Sequence, residues 1–261
     1  MTLDVEERRF QMTLAYDGTD YHGWQVQPGV QTVAGSLAGA IESTCGARPH
    51  LAAAGRTDAG VHAHGQVAVA TVPCPVEPTE LWRGCQRNLP PDIRILHAAP
   101  APDGFDPRRD AWRRSYRYLL VAGSWLPPGL GRYAWGVDPR LELSPMREGA
   151  ATLLGAHDFG AFGTSPEPGG TTRRLVDLLE VRRRSGLIEI EVRADAFLRG
   201  MLRSMVGALV GLGLRRLGQG ELREAVALGA GARRRWAPAP ARGLHQWRVE
   251  YHRPSMLGVR A

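Results

Sequence analysis

Apolar residues in this 261-residue chain switch between a spacing of two and a spacing of four in the same order twice. No other feature constrains the fold as much. Phe10, Met12, Leu14 and Tyr16 alternate with other residues, which predicts a strand, because side chains two apart share a face of extended chain. Val33, Leu37 and Ile41 repeat at helical spacing and predict a helix over 32–44. Short apolar runs predict strands at 51–54 and 66–71. A helix follows at 80–88, stopped by Pro90, and then a strand at 93–97. The second half repeats this order. It predicts a strand at 113–121, a helix at 146–154 and strands at 175–183 and 187–193 joined by Ser185-Gly186. A long helix at 197–217, a shorter one at 221–228 and a strand at 244–251 complete it. In that last strand Gln246 and Arg248 face away from Trp247 and Val249.

The predicted class is therefore α+β. Two tandem ferredoxin-like β-α-β-β-α-β halves form an extended antiparallel sheet, with helices on one face and a central cleft. The halves correspond to domains over 1–104 and 105–261, with the boundary in the Pro/Gly-rich stretch 100–107. A cleft between two such sheets is a usual place for a site.

All 33 basic residues are arginine and none is lysine, which removes Schiff-base chemistry and the phosphate-cradling GxxxxGK loop. HExxH, GxGxxG and GxSxG are also absent. A formal net charge of +7 suits a phosphate-bearing partner. The chain is also poor in isoleucine and has a single asparagine, Asn88, as GC-rich coding produces, so arginine clusters inform more than the total. They include those at 8–9, 108–109, 113–114, 173–174, 182–184 and 233–235. Each reads either as a solvated face or as a phosphate contact whose affinity falls steeply with salt.

Cys45, Cys74 and Cys85 form no CxxC pair, which indicates neither a disulfide framework nor a zinc site and fits a reducing, cytoplasmic compartment. The first ten residues lack the apolar core of a signal peptide. The longest apolar stretch, 204–214, falls far short of the ~20 residues of a membrane span.

The most informative segment is Ala53-Ala54-Gly55-Arg56-Thr57-Asp58-Ala59-Gly60-Val61-His62, between two predicted strands. Its glycines permit tight backbone and close approach of a ligand, and between them stand one base, one hydroxyl and one acid. One reading is a structural turn in which Asp58 accepts backbone hydrogen bonds and pairs with Arg56. The other is a nucleophilic or general-base carboxylate held by an arginine. An exposed aspartate, with pKa ~3.9, needs no help to ionise at neutral pH. The arginine matters to ionisation only where a ligand closes over the acid.

Arg56 to His62 followed by Gly65-Gln66-Val67 resembles the signature of the tRNA pseudouridine synthase A family. Further matches run in order along nearly the whole chain: Tyr16-Asp17-Gly18 with Tyr21 and Gly23-Trp24-Gln25, Asn88-Leu89-Pro90 with Asp92-Ile93, and Phe105 with Arg108. Tyr116-Arg117-Tyr118, then Asp158-Phe159 with Phe162, continue the series. Ala196-Phe197-Leu198, Met201, Arg203 and Val206-Gly207 complete it. The chain departs from the family pattern at Ser115, at Thr19 to His22 and at Arg199-Gly200, which bears on RNA contacts rather than on chemistry.

The resemblance implies a homodimer, with tRNA contacting both subunits. It implies isomerisation of uridine to pseudouridine at positions 38, 39 and 40 of the anticodon stem-loop, without metal or organic cofactor. It makes Asp58 the nucleophile, acting on the sugar C1′ or on the uracil ring. Arg56 then holds Asp58 and helps extrude the base. Tyr116 stacks on the flipped base and moves a proton. Phe197 and Leu198 wall the pocket, and Arg203 pairs with Asp58. Arg108, Arg109, Arg113 and Arg114 are the favoured phosphate contacts.

Some features invite blander readings. His62 and His64 form an HxH pair with no third metal ligand nearby. Met201, Met205, Leu209 and Leu212 read as helix core, and Gly207 with Gly211 as close helix packing. Two other functions compete. A non-catalytic RNA-binding protein on this scaffold would lack the acid, which is present. The other is a nucleoside hydrolase or glycosidase: retaining glycosidases need two carboxylates ~5–5.5 Å apart, and no second acid accompanies Asp58 in the motif.

Overall fold

The computed structural model describes residues 7–123 and 125–252. They form two compact units, 7–112 with 246–252, and 113–245.

The first unit runs β1 (Arg8–Tyr16), α1 (Val33–Cys45), β2 (His50–Ala53), β3 (His62–Val72), α2 (Pro78–Asn88) and β4 (Ile93–Pro100). Its strands pair antiparallel in the order β4-β1-β3, with β2 against the far part of β3. That is the β-α-β-β-α-β order read from the sequence. The Thr32 hydroxyl accepts the Gly35 N–H and starts α1. Leu37 and Ile41 of α1, with Leu81 and Cys85 of α2, pack into one core with Phe10, Met12, Leu14, Ala68 and Ala70 of the sheet. Burying each large aliphatic or aromatic side chain contributes roughly 1.5–3 kcal/mol. The pairing of β1 with β3 slips between Leu14 and Tyr16, so an extra residue bulges at the start of β3. Residues 246–252, which include most of the last strand, lie in this unit.

The second unit carries β5 (Ala111–Ala122), β6 (Trp135–Val137), α3 (Leu143–Leu153), β7 (Gly155–Asp158), β8 (Arg173–Arg184), β9 (Leu187–Ala194), α4 (Met201–Gly213) and α5 (Gln219–Leu228). β10 (Leu244–Tyr251) begins in this unit and ends in the other. The sheet order is β5-β9-β8-β7, with β6 parallel to β5. β8 and β9 form the hairpin expected from Ser185-Gly186. Both turn residues have positive φ, 49° and 84°, as a two-residue turn matched to strand twist requires. α3 packs on α4 and on β8, and Met205, Leu209 and Leu212 are buried as read.

Two local expectations are corrected, and two short strands are added. The long helix read over 197–217 is shorter: α4 spans Met201–Gly213. Gly200, at φ 74°, precedes it in the left-handed region, and Arg199 exchanges backbone hydrogen bonds with Thr164 in a β-bridge. A second left-handed residue, Arg215 at φ 58°, follows it. The close packing at Gly207 is against irregular chain rather than a helix. A Cβ there would lie 2.0 Å from the Ala237 carbonyl oxygen. β6 and β7, of three and four residues, are too short for alternation to reveal.

In β10 the simple alternation fails. Gln246 is fully buried, whereas Trp247 and Arg248 are both exposed. The break falls beside Gly65, where a Cβ would come within 2.7 Å of the Trp247 carbonyl oxygen. No helix among the described residues is long and apolar enough to cross a membrane.

Candidate active site

The loop between β2 and β3 holds Asp58, and its shape follows from backbone contacts with residues 16–24. The Asp58 carbonyl accepts the Val61 N–H at 3.2 Å, closing a turn. Gly60 supplies φ 76° at the third position of that turn, where side chains are disfavoured. The Thr57 carbonyl accepts the Trp24 N–H at 3.0 Å, and the Gly60 N–H donates to the Tyr21 carbonyl at 3.2 Å. Beneath the loop, the Tyr16 hydroxyl and the Thr57 hydroxyl share a buried hydrogen bond of 2.8 Å. Gly18 approaches so closely that a Cβ would sit 1.9 Å from the Val61 carbonyl oxygen.

His62 belongs to the same clasp. Its ring is buried, and Nδ1 accepts the Gly18 N–H at 3.1 Å. His64 instead stacks its exposed ring on Trp247, with centroids 4.6 Å apart. Among the described residues no group of three or more His, Cys, Asp or Glu side chains converges to hold a metal. Tyr21 donates its hydroxyl to Asp92 at 2.6 Å, and burial, reinforced by that carboxylate, raises its pKa. Thr57, Val61 and His62 are buried, Asp58 is half-buried, and Arg56 and Ala59 are exposed. The loop is thus fastened on its inner side, and of its charged pair Arg56 alone is exposed.

A polar contact not anticipated from the sequence holds the other end of the loop. Gln66, fully buried, donates from Nε2 to the Gly55 carbonyl at 2.7 Å. Its signal was a glutamine at the edge of the apolar run Val67 to Ala70.

In the second unit, Tyr116 and Tyr118 lie on one face of β5, opposite Val192 and Ile190 of β9. Arg117 turns to the other face, within 3.8 Å of Glu189 and 3.7 Å of Glu191. Tyr116 is nearly buried and meets the Phe197 ring edge to face at 5.0 Å. Leu198 is buried in the segment leading to α4. Tyr118 is fully buried and donates its hydroxyl to the Pro240 carbonyl at 2.7 Å, and burial raises its pKa. Arg203 and Ala239 are tied twice. Arg203 Nε donates to the Ala239 carbonyl, and the Ala239 N–H donates to the Arg203 carbonyl, each at 2.8 Å.

The four favoured phosphate-binding arginines occupy different settings. Arg108 and Arg109 are exposed on a turn whose N–H groups donate to Asp106 Oδ1 at 2.9 and 2.8 Å. Burial works against the Asp106 charge, but these bonds and Arg109 hold its pKa below the usual value. Arg113 pairs with Asp177, which also accepts from Arg193 Nε at 2.8 Å. Arg114 is 7% exposed and donates from Nη1 to the Asp195 carbonyl at 2.6 Å, which turns it toward the protein rather than toward solvent.

The tRNA pseudouridine synthase family model matches residues 12–108 and 150–252. A tRNA pseudouridine synthase A of Xanthobacter autotrophicus is 38% identical over 254 residues, 93% of this chain and 99% of that protein. The Mycobacterium leprae protein of that name is 39% identical over 271 residues, covering 98% of this chain and 94% of its own length. One from Rhodopseudomonas palustris is 37% identical over 248 residues, covering 93% and 98%. The family match takes in the Asp58 loop and reaches into both units, and it agrees with the resemblance read from the motifs. The chain belongs to the tRNA pseudouridine synthase family and is an isomerase of that class.

Proposed function

We propose that this enzyme converts uridine to pseudouridine at positions 38, 39 and 40 of the tRNA anticodon stem-loop, with Asp58 as the attacking acid. The observation that carries the reading is the Asp58 loop. Buried contacts fasten Thr57, Val61 and His62, while the one carboxylate among them stays half-buried. A side chain on such a loop meets a substrate with little reorganisation.

The reaction breaks the bond from C1′ to N1 of uracil and forms one from C1′ to C5. A proton leaves C5, N1 gains one, and nothing is oxidised or reduced. A carboxylate suits the first step because it can capture the electron-poor C1′ or add to the uracil ring. A base in a stacked stem is out of reach, so the nucleotide is flipped, and the exposed Arg56 beside Asp58 is placed to assist. Tyr116 supplies a ring for the uracil and a hydroxyl for proton transfer. Phe197 and Leu198 exclude water from the freed base. Arg108 and Arg109 are the exposed pair for tRNA phosphates. The enzyme acts in the cytoplasm as a homodimer.

Tritium release from C5-labelled uridine in tRNA tests the assignment. Asp58→Ala and Asp58→Asn abolish release while tRNA affinity stays within several-fold of wild type. Turnover near the wild-type rate in Asp58→Asn would overturn it.

A further inference from the structure

We propose that Gln66 is a positioning residue for Asp58 and that Gln246 orients it. The proposal rests on the reading of Asp58 as the reacting acid. Both glutamines are fully buried. Gln66 Nε2 donates to the Gly55 carbonyl at 2.7 Å. Its Oε1 accepts the Val67 N–H at 3.1 Å and Gln246 Nε2 at 3.1 Å. The partners select the amide orientations: Val67 N–H needs an oxygen and Gly55 C=O needs a donor. Reversing either amide would set like groups against each other.

The place of these bonds gives them their role. The Ala54 N–H donates to the Val67 carbonyl at 2.9 Å, and past that point the chain leaves its pairing with β3 for the Asp58 loop. Gly55 is the first residue beyond, three before Asp58. Farther along, Trp24 and Tyr21 hold Thr57 and Gly60 through backbone groups. Gln66 holds the Gly55 end through a side chain, so substitution can release that end alone.

Gln246 supplies a second, independent sign. Its Oε1 is buried with no hydrogen-bond partner among the described residues. An unsatisfied buried acceptor costs stability, so an apolar residue of similar shape would serve the core as well or better. What the amide contributes is its Nε2, which fixes Gln66. Positioning and packing therefore predict opposite responses to one substitution.

The test measures kcat and KM for tritium release by full-length Gln66→Met, Gln246→Met and Asp58→Asn, together with thermal unfolding. Gln66→Met lowers kcat about 10–100-fold, the scale of a 1 Å misplacement, with KM for tRNA little changed. Gln246→Met lowers kcat several-fold while its Tm equals or exceeds that of wild type. Wild-type kcat in a folded Gln246→Met protein would overturn the proposal, even where Gln66→Met fails to fold. So would a loss of activity that merely tracks a lowered Tm, or one confined to KM. Wild-type turnover in Asp58→Asn would instead overturn the reading of Asp58, and the positioning role with it. An inactive Asp58→Asn beside fully active glutamine variants overturns the positioning role alone.

Discussion

Tyr116 combines two groups with separable uses. Its ring lies nearly buried against Phe197. Its hydroxyl adds a proton donor and acceptor that phenylalanine lacks. Tyr116→Phe is expected to keep tRNA binding and lose most turnover, about 10²–10⁴-fold. Tyr116→Leu also removes a stacking surface worth roughly 1–3 kcal/mol and loses base capture as well. Normal turnover in Tyr116→Phe beside an inactive Tyr116→Leu would assign the role to the ring alone. The facing of this residue is legible in the sequence, since alternation separates both tyrosines from Arg117, and the β5–β9 register agrees. The setting of Arg114 is not legible there. Nothing in an Arg-Arg pair says that one guanidinium reaches an acid while the next bonds a carbonyl inside.

At the level of elements, the Asp58 loop depends on a segment nearly forty positions earlier in the chain. Gly18 shows the dependence most sharply, because a methyl group there would collide with the Val61 backbone, which has no side-chain freedom with which to yield. Gly18→Ala is expected to displace the loop and reduce tritium release at least as strongly as Gln66→Met, while far-UV circular dichroism retains the helices and strands. Wild-type kcat in the Gly18→Ala protein would show that the loop tolerates the shift. Helix and strand interiors follow from the sequence because their apolar periods are long. The ends of α4 do not, because left-handed Gly200 and Arg215 and the backbone exchange between Arg199 and Thr164 leave no mark on hydrophobic periodicity. The exposed pair Trp247 and Arg248 escapes for a related reason: strand alternation is a rule for regular pairing, and it fails where the chain passes Gly65.

For the molecule as a whole, half-buried carboxylates with close partners set the response to acid. The Thr172 hydroxyl and the Gly160 N–H hold Asp158 below the usual carboxylate pKa. Burial opposes the Asp177 charge, but Arg193 and Arg113 overcome it and lower that pKa too. Groups with depressed folded pKa values add stability above the unfolded value, about 3.9, and lose it as pH falls through the folded values. The denaturant midpoint is therefore expected to hold from neutrality to about pH 5 and to fall below about pH 4, with a smaller fall in Asp177→Asn. An equal fall in both proteins would remove Asp177 from the account. Apolar periods and contiguous motifs are local properties of a chain, so the α+β class, the order of elements in the first half, the longer elements of the second, the Ser185-Gly186 hairpin and the family could all be read without coordinates. Which polar side chains went inside was settled only when the chain folded. Gln66 and Gln246 lie 180 positions apart, yet they meet at 3.1 Å. A buried amide is tolerable only where distant backbone and side chains supply its partners, and no local pattern records where those partners will be.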